Sequence, residues 1–552
     1  MNKLTITKAA LLGCVFSMML IPVSLLLFLL PSAGIDPTAY YKRLVFALGL
    51  NFLFSFFIPF VLINLPAVLK KLLFFALAFC SVVFVTLSVF HLKIYRQQLS
   101  AQSLTILMDT NYKEATEYAG FYSSGYTIAA VLIALVLMLL MATLAWRLLS
   151  RTVLVGFNKA HSAGALLALI LLAYIGWDKI YFVLSNPVPF VIQTAQEILA
   201  ISANNDQLQN SQAKSSGAQL VAAAKAPMTH IIIIGESATP SHMSLYGYER
   251  NTNPLLRRPI DGMQFYMGQD SCSSQPSTHL SIAAIMLGGK VKKIDAQGFS
   301  PPNMLSTIQD AGYKIDWISN QQQAGYGSVR SFWSSALEHS QFLNKTDYRV
   351  GYDFDEILLP SLETTLKNNS LAKVVVLHMM GSHPGYMMRY PKVFEHWSRS
   401  AEVPNSVPRK HDQDFDSAVF NAYDNSILYS DYVISQILKL AQQHDVASVV
   451  YFSDHGQNLG EKTSYLGHST ENGPRQGFEV PLLFWLNPNK LSALNLDLDA
   501  FKNNLKKPFS LERIEYTLFD LYGIQMPDSN TDKSLLSSSY QVAKRHCDDI
   551  KN

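Results

Sequence analysis

Charge is scarce in this sequence. Asp, Glu, Lys and Arg supply 15% of its 552 residues, against about a quarter in an ordinary soluble domain. The deficit is concentrated before residue 190, so a wholly soluble chain is excluded. The net charge of +3 is small, and lysines and arginines are scattered rather than clustered, which leaves no nucleic-acid footprint. Cysteine is scarce too. Of the four present, Cys14 and Cys80 sit inside apolar stretches as packing residues. Only Cys272 and Cys547 are placed to pair in a soluble part, and nothing in the sequence says that they meet. A disulfide scaffold is therefore excluded. No internal repeat is visible.

Long apolar runs are abundant. Five of them, at 9–31, 44–64, 71–93, 126–148 and 163–184, reach the length of about 20 residues that a bilayer demands. The first lacks a small-residue cleavage site and is followed by further runs, so it reads as an anchor. Lys3 and Lys8, Lys70 and Lys71, and Arg147, Arg151 and Lys159 all fall on one side of a five-span arrangement, which makes that side cytoplasmic. Lys42 and Arg43 dissent weakly. Everything after residue 185 is then exported. The expected organisation is a five-helix membrane domain over 1–185 with an exported loop at 94–125, a helix and linker over 186–227, and an exported domain over 228–552. Loop 94–125 carries helical periodicity compatible with a surface-lying amphipathic helix. Residues 201–227, rich in Ala, Ser, Gln, Asn and Lys, read as a tether.

From His230 the pattern changes. The runs "HIIIIGES", "YKIDWISNQ", "AKVVVLHMMGSH", "ASVVYFSDHG" and "EVPLLFWL" are continuous and apolar, and helical stretches such as 304–311 and 424–443 lie between them. Strands buried on both faces and alternating with helices predict an α/β domain with a mostly parallel sheet. In such sheets ligands bind beyond the carboxyl ends of the strands. Glu236 follows one run, His378 and His383 end another, and Asp454 and His455 end a third. Acids and imidazoles converging on one sheet edge suit a divalent metal ion. Asn320 and Gln321 end a strand on the same edge and are placed to touch substrate. His242 reads as a surface or packing residue.

The segments "HIIIIGESATPSHMSLYGYERNTNP", "VLHMMGSHPGYMMRYP", "AYDNSILYSDYVISQIL" and "SDHGQNLGE", followed by "YLGHS" and "EVPLLFWL", resemble the lipopolysaccharide phosphoethanolamine transferases. The resemblance covers the whole chain. "WISNQQ" and "DTNYKEATEY" look more like the branch acting on core sugars than the disulfide-rich lipid A branch. It implies a five-span membrane part plus a sulfatase/alkaline-phosphatase-like domain. It also implies Zn2+ at one site, with a second left open, and metal ligands Glu236, Thr278, Asp454 and His455. Thr278 would be the nucleophile, with His383 and His468 around the phosphate.

Two placements stay open within that resemblance. Aligning on Ser271-Cys272 puts Ser274 at the nucleophile position; aligning on "LSIAAIML", with Pro276-Ser277-Thr278 before it, puts Thr278 there, opening a helix. The plainer role for Thr278 is a helix N-cap. For the donor headgroup, Thr110 and Glu114 match the family's spacing, with Ile106 where the family has Asn and Asn111 as a substitute; the plainer reading is a solvated helix face.

The resemblance thus implies an inner-membrane, multi-pass transferase with a periplasmic catalytic domain. It would take phosphoethanolamine from phosphatidylethanolamine and pass it, through a phosphothreonine, to a lipopolysaccharide acceptor on a core sugar or lipid A, releasing diacylglycerol. The alternatives are a phosphoglycerol transferase, another sulfatase-like hydrolase, or an inactive lipid-sensing relative.

Overall fold

The structure is a computed structural model. It describes residues 3–20, 37–95, 125–151, 157–176, 215–221, 227–288, 302–321, 339–344, 353–367, 372–404, 417–461, 466–468, 474–527 and 531–550, with a few isolated positions between them. These residues form two compact units, one within 1–202 and the other within 203–552.

The first unit is helical: α1 (Lys3–Leu20), α2 (Pro37–Leu62), α3 (Ala67–Tyr95), α4 (Gly125–Arg151) and α5 (Lys159–Gly176). Each helix overlaps one of the five apolar runs. Among the described residues three stretches are long and apolar enough to cross a membrane, at Ala67–Val89, Ile128–Arg151 and Lys159–Gly176. Lys8–Ser17 and Leu48–Leu62 are shorter apolar stretches, and much of run 9–31 lies outside the described residues. The helices are arranged inside out relative to a soluble bundle. Val68, Phe79, Leu140 and Leu167 are exposed, while Ser17, Asn51, Ser55 and Ser81 are buried. Ser17 Oγ donates to Gly13 O and Phe52 O, both at 3.0 Å. Small polar residues between helices and large apolar ones outside are the packing that a lipid solvent selects.

The second unit is built on a seven-stranded sheet. In chain order its strands are β1 (Gln219–Leu220), β2 (Thr229–Gly235), β3 (Gln264–Gly268), β4 (Asp270–Cys272), β5 (Lys314–Ser319), β6 (His339–Phe342), β7 (Lys373–His378), β8 (Ser448–Ser453), β9 (Asn458–Leu459), β10 (Leu466–Gly467), β11 (Leu482–Leu486), β12 (Pro508–Ser510) and β13 (Ile524–Gln525). Its main helices are α6 (Thr278–Leu287), α7 (Met304–Asp310), α8 (Leu358–Leu366), α9 (Ser417–Gln443), α10 (Leu498–Asn504) and α11 (Ile514–Leu521). The large sheet runs β3-β11-β8-β2-β7-β5-β6. Strands β8, β2, β7, β5 and β6 are mutually parallel, and only β11 runs against its neighbours. Each of the five apolar runs after residue 229 contains a strand of this sheet. Every residue of β7, β8 and β11 is buried, which is why those runs show no alternation.

Register places the site. Gly235 of β2 pairs with Ser453 of β8, and Ile234 pairs with His378 of β7. Residues just past these strand ends therefore emerge side by side. The expected linker is in part structured. Gln219–Leu220 pairs antiparallel with Ile524–Gln525, and Ala218 and Ala224 are buried in the core of the second unit. A two-residue strand carries no periodicity, so nothing in the composition marks it. The first part of the tether, 201–214, lies outside the described residues. Cys272 and Cys547 form a disulfide with their Cα atoms 6.5 Å apart, so the fold joins β4 to the C-terminal segment.

Candidate metal centre and active site

Glu236, Asp454 and His455 are buried, and one ligand atom from each lies within 4.8 Å of the others. His455 Nε2 is 3.3 Å from Glu236 Oε1 and 3.4 Å from Asp454 Oδ2. Thr278 Oγ1 joins them, 3.2 and 3.0 Å from the two oxygens of Glu236 and 3.3 Å from His455 Nε2. Four groups from three distant parts of the chain thus face one point.

The surroundings aim each group. Asp454 Oδ1 accepts the backbone N–H of His455 at 2.7 Å and of Ser237 at 3.1 Å. Its Oδ2 is buried with no hydrogen-bond partner among the described residues. A carboxylate oxygen left so, beside a second carboxylate, costs several kcal/mol unless a cation meets it. His455 Nδ1 donates to Gly456 O at 2.8 Å. That leaves Nε2 turned toward Glu236 and Thr278, the tautomer of a metal-binding imidazole. Ser237, at φ 56°, holds a left-handed conformation that a residue with a side chain rarely adopts. From it the Ser237 hydroxyl donates to Glu236 Oε1 at 2.9 Å, and Tyr423 OH donates to Ser237 O at 2.7 Å. Oxygen and nitrogen donors in this number fit zinc.

The electrostatics agree. Burial opposes the charge of Glu236, but the hydrogen bond and nearby charge of His455, with His383 and His468 beyond it, hold its carboxyl well below the usual range. Burial first, and then the Glu236 charge, push Asp454 up to about 7. For His455 burial acts downward, yet Asp454 and Glu236 raise it to about 9. Each direction is that of a buried acidic group demanding positive charge, which a divalent cation supplies.

Thr278 opens α6 at its first helical position. The N-cap is Ser277, whose side chain makes no capping bond. The plain N-cap reading of Thr278 therefore does not hold: its hydroxyl faces Glu236. Ser274, the other alignment, makes no hydrogen bond to this group; of the two candidates, the hydroxyl that reaches it is that of Thr278. His468 lies with its ring 4.1 Å from that of His455 and its Nδ1 2.7 Å from Gln457 Oε1. His383 follows the β7 end and is half-buried, close enough for its charge to act on Glu236. Adjacent residues after β5 point opposite ways. Asn320 Nδ2 turns to Asp353 O and Asp355 Oδ1, at 3.0 and 2.9 Å, whereas Gln321 Nε2 lies 3.4 Å from Glu236 Oε2. Thr110 and Glu114 lie outside the described residues. His242, expected at the surface or in packing, is buried between two carboxylates, Asp424 and Glu461. Their spacing in sequence is too wide for any local pattern to disclose them.

Comparison with known proteins adds to this geometry. The phosphoethanolamine transferase EptC of Escherichia coli O18:K1:H7 is 25% identical over 327 residues, which are 58% of this chain and 55% of that protein. The chain thus spans about half the length of the curated relatives it matches first. The lipooligosaccharide phosphoethanolamine transferase A (EptA) of Neisseria meningitidis, an integral membrane protein, shares the fold over 96% of this chain and 98% of its own, with a TM-score of 0.70 and 19% identity. The C-terminal periplasmic domain of Escherichia coli EptC, solved in complex with Zn, does so over 60% of this chain and 92% of its own, at 0.53 and 23%. The chain therefore joins apolar helices to a sulfatase-like domain. The sulfatase family matches residues 229–524, over half of the sequence, and the chain belongs to that family.

Proposed function

We propose that the chain is a zinc-dependent phosphoethanolamine transferase of a bacterial inner membrane. It would carry five spans over 1–185 with an exported loop at 94–125, a helix and linker over 186–227, and a periplasmic catalytic domain over 228–552. The observation that carries this reading is the Thr278 hydroxyl, buried at a helix N-terminus and within 3.3 Å of Glu236 and His455. Phosphoethanolamine transferases among the relatives, and a relative's domain solved with Zn, supply the headgroup and the metal.

Glu236, Thr278, Asp454 and His455 would hold the ion. When bound, zinc lowers the pKa of the threonine hydroxyl and neutralises charge on the phosphate oxygens. Thr278 Oγ1 attacks the phosphorus of phosphatidylethanolamine. A P–O bond forms to Thr278, and the bond from phosphorus to the glycerol oxygen breaks. Diacylglycerol leaves as the alcohol, with a proton from His383 or His468. The helix N-terminus favours the phosphothreonine. In the second half an acceptor oxygen on a lipopolysaccharide core sugar or lipid A loses its proton to the same imidazole and attacks phosphorus, and Thr278 is released. Thr110 and Glu114 of the exported loop would hold the ethanolamine.

The test is direct. Purified full-length protein in lipid, given fluorescent phosphatidylethanolamine and phosphatidylglycerol separately, should release diacylglycerol from the first. Release from the second alone overturns the assignment. Mass spectrometry of lipopolysaccharide from cells with and without the protein should show a difference of one phosphoethanolamine and identify the sugar that bears it.

A further inference from the structure

Beyond the candidate metal ligands, a second buried polar group runs from Asp424 on helix α9 through His242 to Glu461, just after β9. His242 ends a short turn, Pro240–His242, soon after Glu236. Its Nδ1 is 2.6 Å from Asp424 Oδ1 and its Nε2 is 2.7 Å from Glu461 Oε1. The rings of Tyr248, Phe420 and Tyr423 pack around it. Asp424 Oδ2 also accepts Tyr248 OH and Arg250 Nη1, both at 2.7 Å. An imidazole between two carboxylates satisfies both only when both nitrogens donate, as imidazolium. Burial works against that charge, but Asp424 and Glu461 outweigh it and raise His242 to about 9.

The path continues from Glu461. Its Oε2 accepts the Leu459 backbone N–H at 3.2 Å. Leu459 belongs to β9, which pairs with β10 (Leu459 with Leu466, Asn458 with Gly467). His468 follows β10 directly, bonded to Gln457 and with its ring tilted against that of His455. Every link is a hydrogen bond, a ladder pair or an adjacent residue.

We infer that His242 is a positioning residue, which ties Glu461 to Asp424 on α9, fixes the β9–β10 hairpin and so sets His468 beside His455. Its kinetic consequence rests on the proposed transferase reading; its geometry does not. A buried ion group serving stability alone needs no connection to the hairpin. Here one partner of the imidazole also holds the hairpin backbone, as outer-shell partners orient the groups that do chemistry.

The test uses zinc-loaded full-length protein with three substitutions: His242→Gln, Glu461→Gln and His242→Arg. The third supplies a guanidinium able to span both carboxylates. In H242Q zinc content should stay near wild type. Loading of phosphoethanolamine onto Thr278 and its discharge to acceptor, which use the same imidazole, should each fall about 10-fold or more, the range of outer-shell changes. E461Q should move the same way, and it carries the test if H242Q fails to fold. H242R should recover most of the loss. Independently of transfer, modification of His468 by diethylpyrocarbonate, read by peptide mass spectrometry, should quicken in H242Q and return in H242R. Unchanged discharge and unchanged His468 reactivity overturn the inference. So does joint loss of zinc and of both half-reactions, which marks a purely structural role. A wild type that never loads Thr278 overturns the proposed function instead, and the His468 rate then decides the inference alone.

Discussion

At the residue scale the arrangement gives each proposed ligand a distinguishable part. Glu236 touches the Thr278 hydroxyl with both oxygens. Glu236→Gln should remove bound zinc, measured by elemental analysis, and lower transfer by on the order of 1,000-fold, as expected when an activated nucleophile loses its metal. Thr278→Ala should keep zinc but load no phosphoethanolamine, while Thr278→Ser should retain partial loading; intact-protein mass spectrometry separates the two. His242 predicts a pH effect on stability. Its folded value of about 9 lies above its ordinary 6.5. The stabilisation is complete below pH 6.5 and is lost as pH rises through 9. Two and a half units correspond to roughly 3 kcal/mol at most. The unfolding temperature of the wild type should therefore fall toward that of His242→Gln between pH 6.5 and 9.5, and parallel curves would refute it.

Elements matter because strand ends, not strands, carry the chemistry. The turn after β8 must let Asp454 and His455 face Glu236, and glycine permits it. A methyl group on Gly456 would collide with the backbone carbonyl oxygens of Gln476 and Glu479. Gly456→Ala should destabilise the second unit by about 2 kcal/mol or more and lower zinc content with it, read from thermal unfolding and metal analysis. Gly381 faces the same demand, with φ +51° and the backbone N and O of Glu236 each 2.9 Å from an added Cβ. Strand β4 is anchored twice. The Cys272–Cys547 disulfide joins it to the C-terminal segment, and Arg545 Nη1 and Nη2 donate to the Asp270 carboxylate at 2.8 and 3.0 Å. Cys547→Ser should cost roughly 2–4 kcal/mol and loosen the loop that leads to Thr278. A proportionate fall in unfolding temperature and in transfer rate is the expected pair of readings.

For the whole molecule, the prediction is about sidedness. On the proposed five-span topology, the lysines and arginines between the apolar runs face the cytoplasm and residues after 185 lie outside it, where a disulfide would also persist. Protease added to spheroplasts should remove 228–552 while leaving the helices, and chelation should abolish transfer and lower the unfolding temperature, with zinc restoring both. Cleavage only after the inner membrane is broken would reverse the topology.

The sequence by itself determined the two-part organisation, the mostly parallel sheet and the Asp454–His455 strand end. These rest on local signals: apolar length, the absence of alternation in strands buried on both faces, and polar residues where such runs stop. Only the tertiary structure decided that Thr278 rather than Ser274 meets Glu236, that Gln321 rather than Asn320 turns toward it, that Cys272 meets Cys547, and that His242 is bridged by Asp424 and Glu461. Those outcomes depend on distances between side chains far apart in the chain, set by strand register and helix packing, which leave no periodic trace in the residues themselves.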